Sequence, residues 1–261
     1  MANPQHCLNC NEPISLKFCP NCGQKTDTHR ITFNHFITHD ILHGVWHFER
    51  GILFTIKEAM IRPGKTALDY ISGKRIRYYN VFYLILLLIG LNIFLSHYYD
   101  ELNHVYNKSS VEFTKNDLGN RIDAFLSDNA KILIYLFVPF FALNGFLIFR
   151  RKKLNLSEHF IIAGITFLGI MLFTTIGNVF FFFDFTNSFE LISELANTFT
   201  PILILVYIIY SYFSAYKKNY SLLGFSIRML LFLIMSVVEL IVIMIIIYGY
   251  VTDWKFGHLV Y

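Results

Sequence analysis

Cys7, Cys10, Cys19 and Cys22 stand as two C-x2-C pairs eight residues apart, and the chain has no other cysteine. Two such pairs are what a tetrahedral zinc ion asks for. Each closes a tight turn whose thiolates converge on one ion, backbone N–H groups support the sulfur charge, and Gly23 supplies the positive φ that such a turn uses. Metal binding then provides the folding free energy that so short a segment, with almost no core, lacks. A closed four-thiolate site has no open coordination position, so the role of Zn2+ here is structural or partner-binding. The alternative is four free thiols or a redox pair. With no cysteine beyond residue 22, no disulfide framework holds the rest of the chain together.

Three further sets of residues suit chemistry. His35, His39, His43 and His47 recur at steps of four, so on a helix their rings stack one turn apart while drifting about 40° around the axis each time. Neighbouring pairs suit a second metal or a proton; the plainer reading is a polar, partly titratable face at headgroup level. Glu239 lies amid Val237, Val238, Leu240 and Ile241, where a bare carboxylate is costly, so it is protonated, paired or turned to a wet cavity. Asn92, Asn144 and Asn178 are the other strongly polar side chains within apolar stretches, and any of them can hydrogen-bond it. Lys74, Arg75 and Arg77, followed by Tyr78 and Tyr79, stand directly before an apolar run, and Arg150, Arg151, Lys152 and Lys153 follow another. Cations so placed contact anionic lipid. A reaction is poorly supported: there is no phosphate-binding Gly loop, nucleophile elbow, HExxH or matched carboxylate pair. Glu158, His159 and the histidine series are all that an enzyme would have to work with.

The elements that position these groups are helical and apolar. Hydrophobic residues make up 55% of the chain and charged residues only 15%, with a mean hydropathy of +0.48, well away from an ordinary globular domain. The expected fold is an all-α membrane protein: a zinc ribbon over 1–28, amphipathic interfacial helices over 29–79, and five transmembrane helices over 80–261. The spans are expected at 81–98, 132–149, 160–183, 199–216 and 225–251, each long enough for about 30 Å of hydrocarbon. From Thr32 to Met60 apolar residues recur at three and four but alternate with too many charges for a span, which predicts a helix lying on the membrane face. Gly44 and Gly51 are candidate breaks, Arg62-Pro63-Gly64 ends it, and a short helix over Lys65–Ser72 stops at Gly73. The acidic loop Tyr99–Lys131 is expected to carry a short helix over 115–128. Tyr207, Tyr210, Tyr212 and Tyr216, with Phe180–Phe183, read as lipid-facing or interface-anchoring groups.

Of the 22 Lys and Arg residues, seventeen fall on one side of these five spans and five on the other. That places the N-terminus in the cytoplasm and the C-terminus outside an inner (cytoplasmic) membrane. No cleavable signal peptide is visible. A net charge of +4, tied to the ends of apolar segments, gives no reason to expect nucleic acid.

The run HCLNCNEPISLKFCPNCGQK resembles the short zinc ribbons at the N-termini of many bacterial membrane and regulatory proteins, with Asn11 where the first turn usually has Gly. His29-Arg30-Ile31-Thr32, Glu49-Arg50-Gly51, Thr55, Arg62-Pro63-Gly64, Tyr70 to Arg75 and Arg77-Tyr78 together resemble an uncharacterised family of bacterial multi-pass membrane proteins that carry such a ribbon. The resemblance covers about the first 85 residues and implies an architecture but no reaction. Five spans with a cytoplasmic head are also similar, in topology alone, to the Yip1-like membrane-trafficking proteins. The function expected is non-enzymatic: a cytoplasmic ribbon that docks, scaffolds or regulates, with the lipid bilayer and a protein partner or second copy as contacts. The competing expectation is a transporter or permease-like body for a metal ion or small solute, built around Glu239.

Overall fold

Two short helices and five long ones follow the cysteine segment in a computed structural model that describes residues 6–26, 51–106, 117–186, 189–252 and 254. The short pair is α1 (Ile52–Ile61) and α2 (Pro63–Ile71). The long ones are α3 (Val81–Tyr106), α4 (Asp117–Ile148), α5 (Leu156–Phe181, continued by a 3-10 turn to Phe185), α6 (Glu190–Tyr216) and α7 (Leu222–Val251). Among the described residues there are no β-strands, only two isolated bridges in the cysteine segment. Four of the long helices, α3, α5 with its turn, α6 and α7, are long and apolar enough to cross a membrane, and α4 carries a shorter apolar stretch over Leu133–Ile148.

Local signals set the helix ends. Asn155 caps α5 through a capping box: its side chain accepts from the Glu158 N–H while the Glu158 carboxylate accepts from the Asn155 N–H, each at 2.8 Å. This satisfies two of the donors that a helix start leaves open. Ser221 accepts from the Gly224 N–H at the start of α7, and Pro63 occupies the first turn of α2, where its missing N–H costs nothing.

Helix α5 is the axis of the bundle. Of its most apolar 18-residue window 67% is buried, against 11% for α7, so α5 is surrounded by protein while α7 presents most of its surface to lipid and leans on α4. Small residues let the neighbours approach α5. A Cβ on Gly169 would lie 2.0 Å from the Tyr207 hydroxyl, so only glycine fits beneath that ring.

Three expectations change in the folded chain. The helix expected over 115–128 is not separate: α4 runs from Asp117 into the apolar stretch without a break, and α3 continues to Tyr106, so the polar excursion is shorter than the hydropathy implied. Of the region expected to lie on the membrane face, 29–50 falls outside the described residues, and α1 and α2 pack into the bundle, with Ala59, Ala67 and Tyr70 inside the same core as the spans. The tyrosines of α6 are mostly not lipid anchors. Tyr207, Tyr212 and Tyr216 are buried, and only Tyr210 is exposed.

The reason is hydrogen bonding. A helix leaves its last carbonyls without partners, and inside a membrane bundle water does not serve them. At the end of α1, the Tyr207 hydroxyl donates to the Ala59 carbonyl at 2.8 Å and the Tyr210 hydroxyl to the Ile61 carbonyl at 2.7 Å. Thr66 Oγ1 donates to the Glu58 carbonyl at 3.1 Å. The Gly64 N–H donates to Ser214 Oγ at 2.9 Å, which fixes α2 against the end of α6.

Candidate metal centre

The two cysteine turns are built alike, twelve residues apart in sequence. In the first, the Asn11 N–H donates to the Cys7 carbonyl at 2.8 Å and the Cys7 N–H to the Glu12 carbonyl at 2.8 Å. In the second, the Gly23 N–H donates to the Cys19 carbonyl at 2.9 Å and the Cys19 N–H to the Gln24 carbonyl at 2.8 Å. Bridges His6–Pro13 and Phe18–Lys25 flank them in the same register. The residue after each pair takes a left-handed conformation, φ 63° at Asn11 and 73° at Gly23. Asn replaces the usual Gly without deforming the turn because its short polar side chain makes that region accessible.

The sulfurs converge. Cys7 and Cys22 are 3.6 Å apart, Cys10 and Cys19 are 3.5 Å apart, and all four ligand atoms lie within 4.8 Å of one another. A Zn–S bond of ~2.3 Å places tetrahedral sulfurs ~3.8 Å apart, so the cluster fits a metal ion with little adjustment. Without a cation the thiols oppose one another's ionisation. The backbone N–H of Glu12 draws the Cys10 thiol down, but burial and hydrogen bonds from the other three cysteines push it up to about 12. Burial opposes ionisation of Cys22 as well, yet the Asn9 amide, the Gln24 N–H and two cysteines hold it at about 6. One thiolate is stabilised and its neighbour suppressed, an imbalance that a divalent ion removes.

The unit is seated on the rest of the protein. Gln24, 4% exposed, donates through Nε2 to the Gly73 carbonyl at 2.7 Å. Arg77 Nε donates to Asn9 Oδ1 at 3.1 Å, so Asn9 joins the Cys22 sulfur to the basic segment before α3. Thr26 Oγ1 closes the unit onto the Leu16 and Lys17 carbonyls. Sequence reasoning did not single out Asn9, Gln24 or Thr26. The twelve-residue repeat pairs Gln24 with Glu12, but their partners lie too far along the chain for spacing to reveal.

The other basic residues form a collar at the same end of the bundle. Lys74 pairs with Asp69 at 3.0 Å, and Arg75 lies over the Tyr70 ring. Arg150 donates to the Leu147 carbonyl, Arg151 to the Asn219 carbonyl and Lys152 to the Ala215 carbonyl. Three of these cations therefore sit on carbonyls in or beside helix C-termini, where the macrodipole favours them. Lys153 takes a left-handed φ of 52° as the turn closes.

Within the long helices Glu239 and the three asparagines sort into two separate sets. Asn144 Nδ2 donates to Glu239 Oε2 at 2.9 Å and lies 3.3 Å from Ser236 Oγ, tying α4 to α7. Asn92 and Asn178 bond to each other at 2.9 Å, and Asn92 donates to Thr175 Oγ1 at 2.8 Å, tying α3 to α5. Glu239 is thus paired with one of the three asparagines. Glu158 is occupied by its capping box, and His159, 2% exposed, lies 3.3 Å from the Tyr216 hydroxyl beside Phe146. His35, His39, His43 and His47 lie outside the described residues.

A family model described as Protein of unknown function (DUF3667) matches residues 49–91. The match spans α1, α2, the basic segment and the first part of α3, the elements on which the cysteine unit is seated. No curated protein and no solved structure matches the chain.

Proposed function

We propose that this is a non-enzymatic integral membrane protein whose four-cysteine unit is a structural zinc ribbon acting as a docking or regulatory head. The observation that carries this reading is the seat itself. A ribbon fixed by Gln24 and Asn9 to the segment that enters the first span is oriented relative to the membrane, and it still presents Leu16 at 67% and Phe18 at 57% exposure. Exposed apolar groups on so small a unit suit a partner, either another protein or a second copy.

The head belongs on the cytoplasmic face of the inner membrane. Basic residues flank the starts of α3 and α5 and the turn before α7, and a positive cytoplasmic side follows from that bias. The reducing cytoplasm also keeps the thiols available to metal. Helix α4 acts as the fifth span, since its apolar part continues into a helix of 32 residues. The C-terminus then lies outside. Transport is the weaker reading because the cavity beside Glu239 is only about 10 Å3, room for one water at most.

A photo-crosslinking residue placed at Leu16 or Phe18 of the full chain in membranes tests the proposal. One discrete adduct is expected, and it disappears when all four cysteines become Ser. A chain that crosslinks to nothing, while holding one zinc, defeats the docking role.

A further inference from the structure

The geometry points to a built site for the phosphate of an anionic phospholipid headgroup, in a cavity of about 620 Å3 between α2, the end of α6 and the α4–α5 turn. Five cations line it: Arg62, Lys65, Lys152, Lys217 and Lys218. Only Lys152 belongs to the collar recognisable in the sequence. Two of the five are committed: Arg62 is bound to Glu58 by both carboxylate oxygens, and Lys152 Nζ donates to the Ala215 carbonyl at 3.2 Å. Lys65, Lys217 and Lys218 have no acidic partner among the described residues. The one acidic residue on the wall, Asp69, is held by Lys74 at 3.0 Å.

Among the described residues, positive charge is therefore in excess of any counter-ion around this cavity. Lys152 registers it, its pKa lowered by burial and by Lys218. Three ammonium groups around a hollow, with Ser214 and Ser72 also on its wall, suit a phosphate oxyanion. The wall also explains why the source is a lipid. Tyr210 and Ala215 belong to a membrane-crossing helix, and Leu68 adds apolar surface, so the cavity lies where a span ends and headgroups begin. The glycerol and acyl chains of a bound lipid would continue along α6, where Val206 and Leu203 are exposed. The site is independent of the ribbon's role and stands or falls without it.

The test uses the purified full chain in detergent, with short-chain phosphatidic acid, short-chain phosphatidylcholine and inorganic phosphate as probes in separate titrations followed by native mass spectrometry. One phosphatidic acid per chain is expected, bound at least ~10-fold more tightly than the other two. The triple variant Lys65→Ala, Lys217→Ala, Lys218→Ala should lose at least ~10-fold in affinity, while Lys17→Ala, Lys57→Ala, Arg121→Ala, an equal loss of charge outside the cavity, should change it less than ~2-fold. Equal losses in both variants would reduce the site to diffuse attraction and overturn the proposal. Phosphate binding as tightly as the lipid would overturn the lipid assignment.

Discussion

Gly64→Ala tests how α2 is joined to the bundle. A Cβ at this position would lie 2.2 Å from the Ala215 backbone nitrogen and 2.6 Å from the Ser214 carbonyl carbon. Those atoms belong to the end of a long helix and cannot swing aside as a side-chain tip does. Restoring ordinary contact requires α2 to move by roughly 1 Å, which costs about 1–3 kcal/mol of overpacking. The same movement stretches the 2.9 Å bond from Gly64 N–H to Ser214 Oγ, worth about 1 kcal/mol, while replacing Gly by Ala in a helix returns up to about 1 kcal/mol. The net expectation is destabilisation by about 2 kcal/mol, or roughly 4–8 °C in Tm for a domain of this size. Gly90 provides the control, because a Cβ there meets nothing within 4 Å; Gly90→Ala should leave Tm unchanged or slightly raised. Thermal unfolding of both variants in one detergent, followed by loss of the monodisperse elution peak, decides it. A Gly64→Ala protein as stable as Gly90→Ala would refute the close approach of α2 to α6.

The purified chain should carry one zinc by elemental analysis, and the Cys7, Cys10, Cys19, Cys22 quadruple Ser variant none; metal retained in the variant would reveal a second site. Asn11→Gly should hold metal as well as the parent and Asn11→Val markedly less, since a β-branched residue resists the left-handed φ; equal metal retention would show that this turn is not strained. Tyr207→Phe, which leaves the Ala59 carbonyl buried without its donor, should cost about 1–3 kcal/mol in stability, and no change would mean that water reaches α1. Glu239→Gln keeps a partner for Asn144 and should fold normally, whereas Glu239→Leu removes the acceptor at 2.9 Å and should lower Tm; the reverse order would count against a helix-joining role and favour transport.

Periodicity and hydropathy carried much of the fold, because burial in lipid demands long uninterrupted apolar helices. Every expected span lies wholly or almost wholly within one long helix, and the stops at Arg62-Pro63 and Gly73 follow from backbone chemistry alone. The ends were harder to read. Charged turns such as Asp117–Lys131 remain helical when they continue a helix already started, and hydropathy does not register that. The cysteine cluster was legible because metal ligands impose short, fixed spacing. Tyr207, Tyr212 and Tyr216 were misread because an aromatic ring with a polar tip suits both a lipid interface and a buried carbonyl. Which one it meets depends on distant elements: α1 supplies the Ala59 carbonyl to Tyr207, α4 the Phe141 carbonyl to Tyr212, and α5 the His159 ring to Tyr216. Lys65, Lys217 and Lys218 each look like an ordinary surface cation until folding brings them around one hollow.

The bond between Gln24 and Gly73 joins residues 49 apart, and it imposes an order on the life of the chain. Gln24 and Asn9 are made before Gly73 and Arg77, so the cysteine segment cannot be seated until the chain has run on through α1 and α2. The hydrogen bonds that shape the two cysteine turns are local to residues 7–24, whereas the orientation of the turns relative to the helices is supplied later and from outside them. Forming the cluster and aiming it are therefore two separate events.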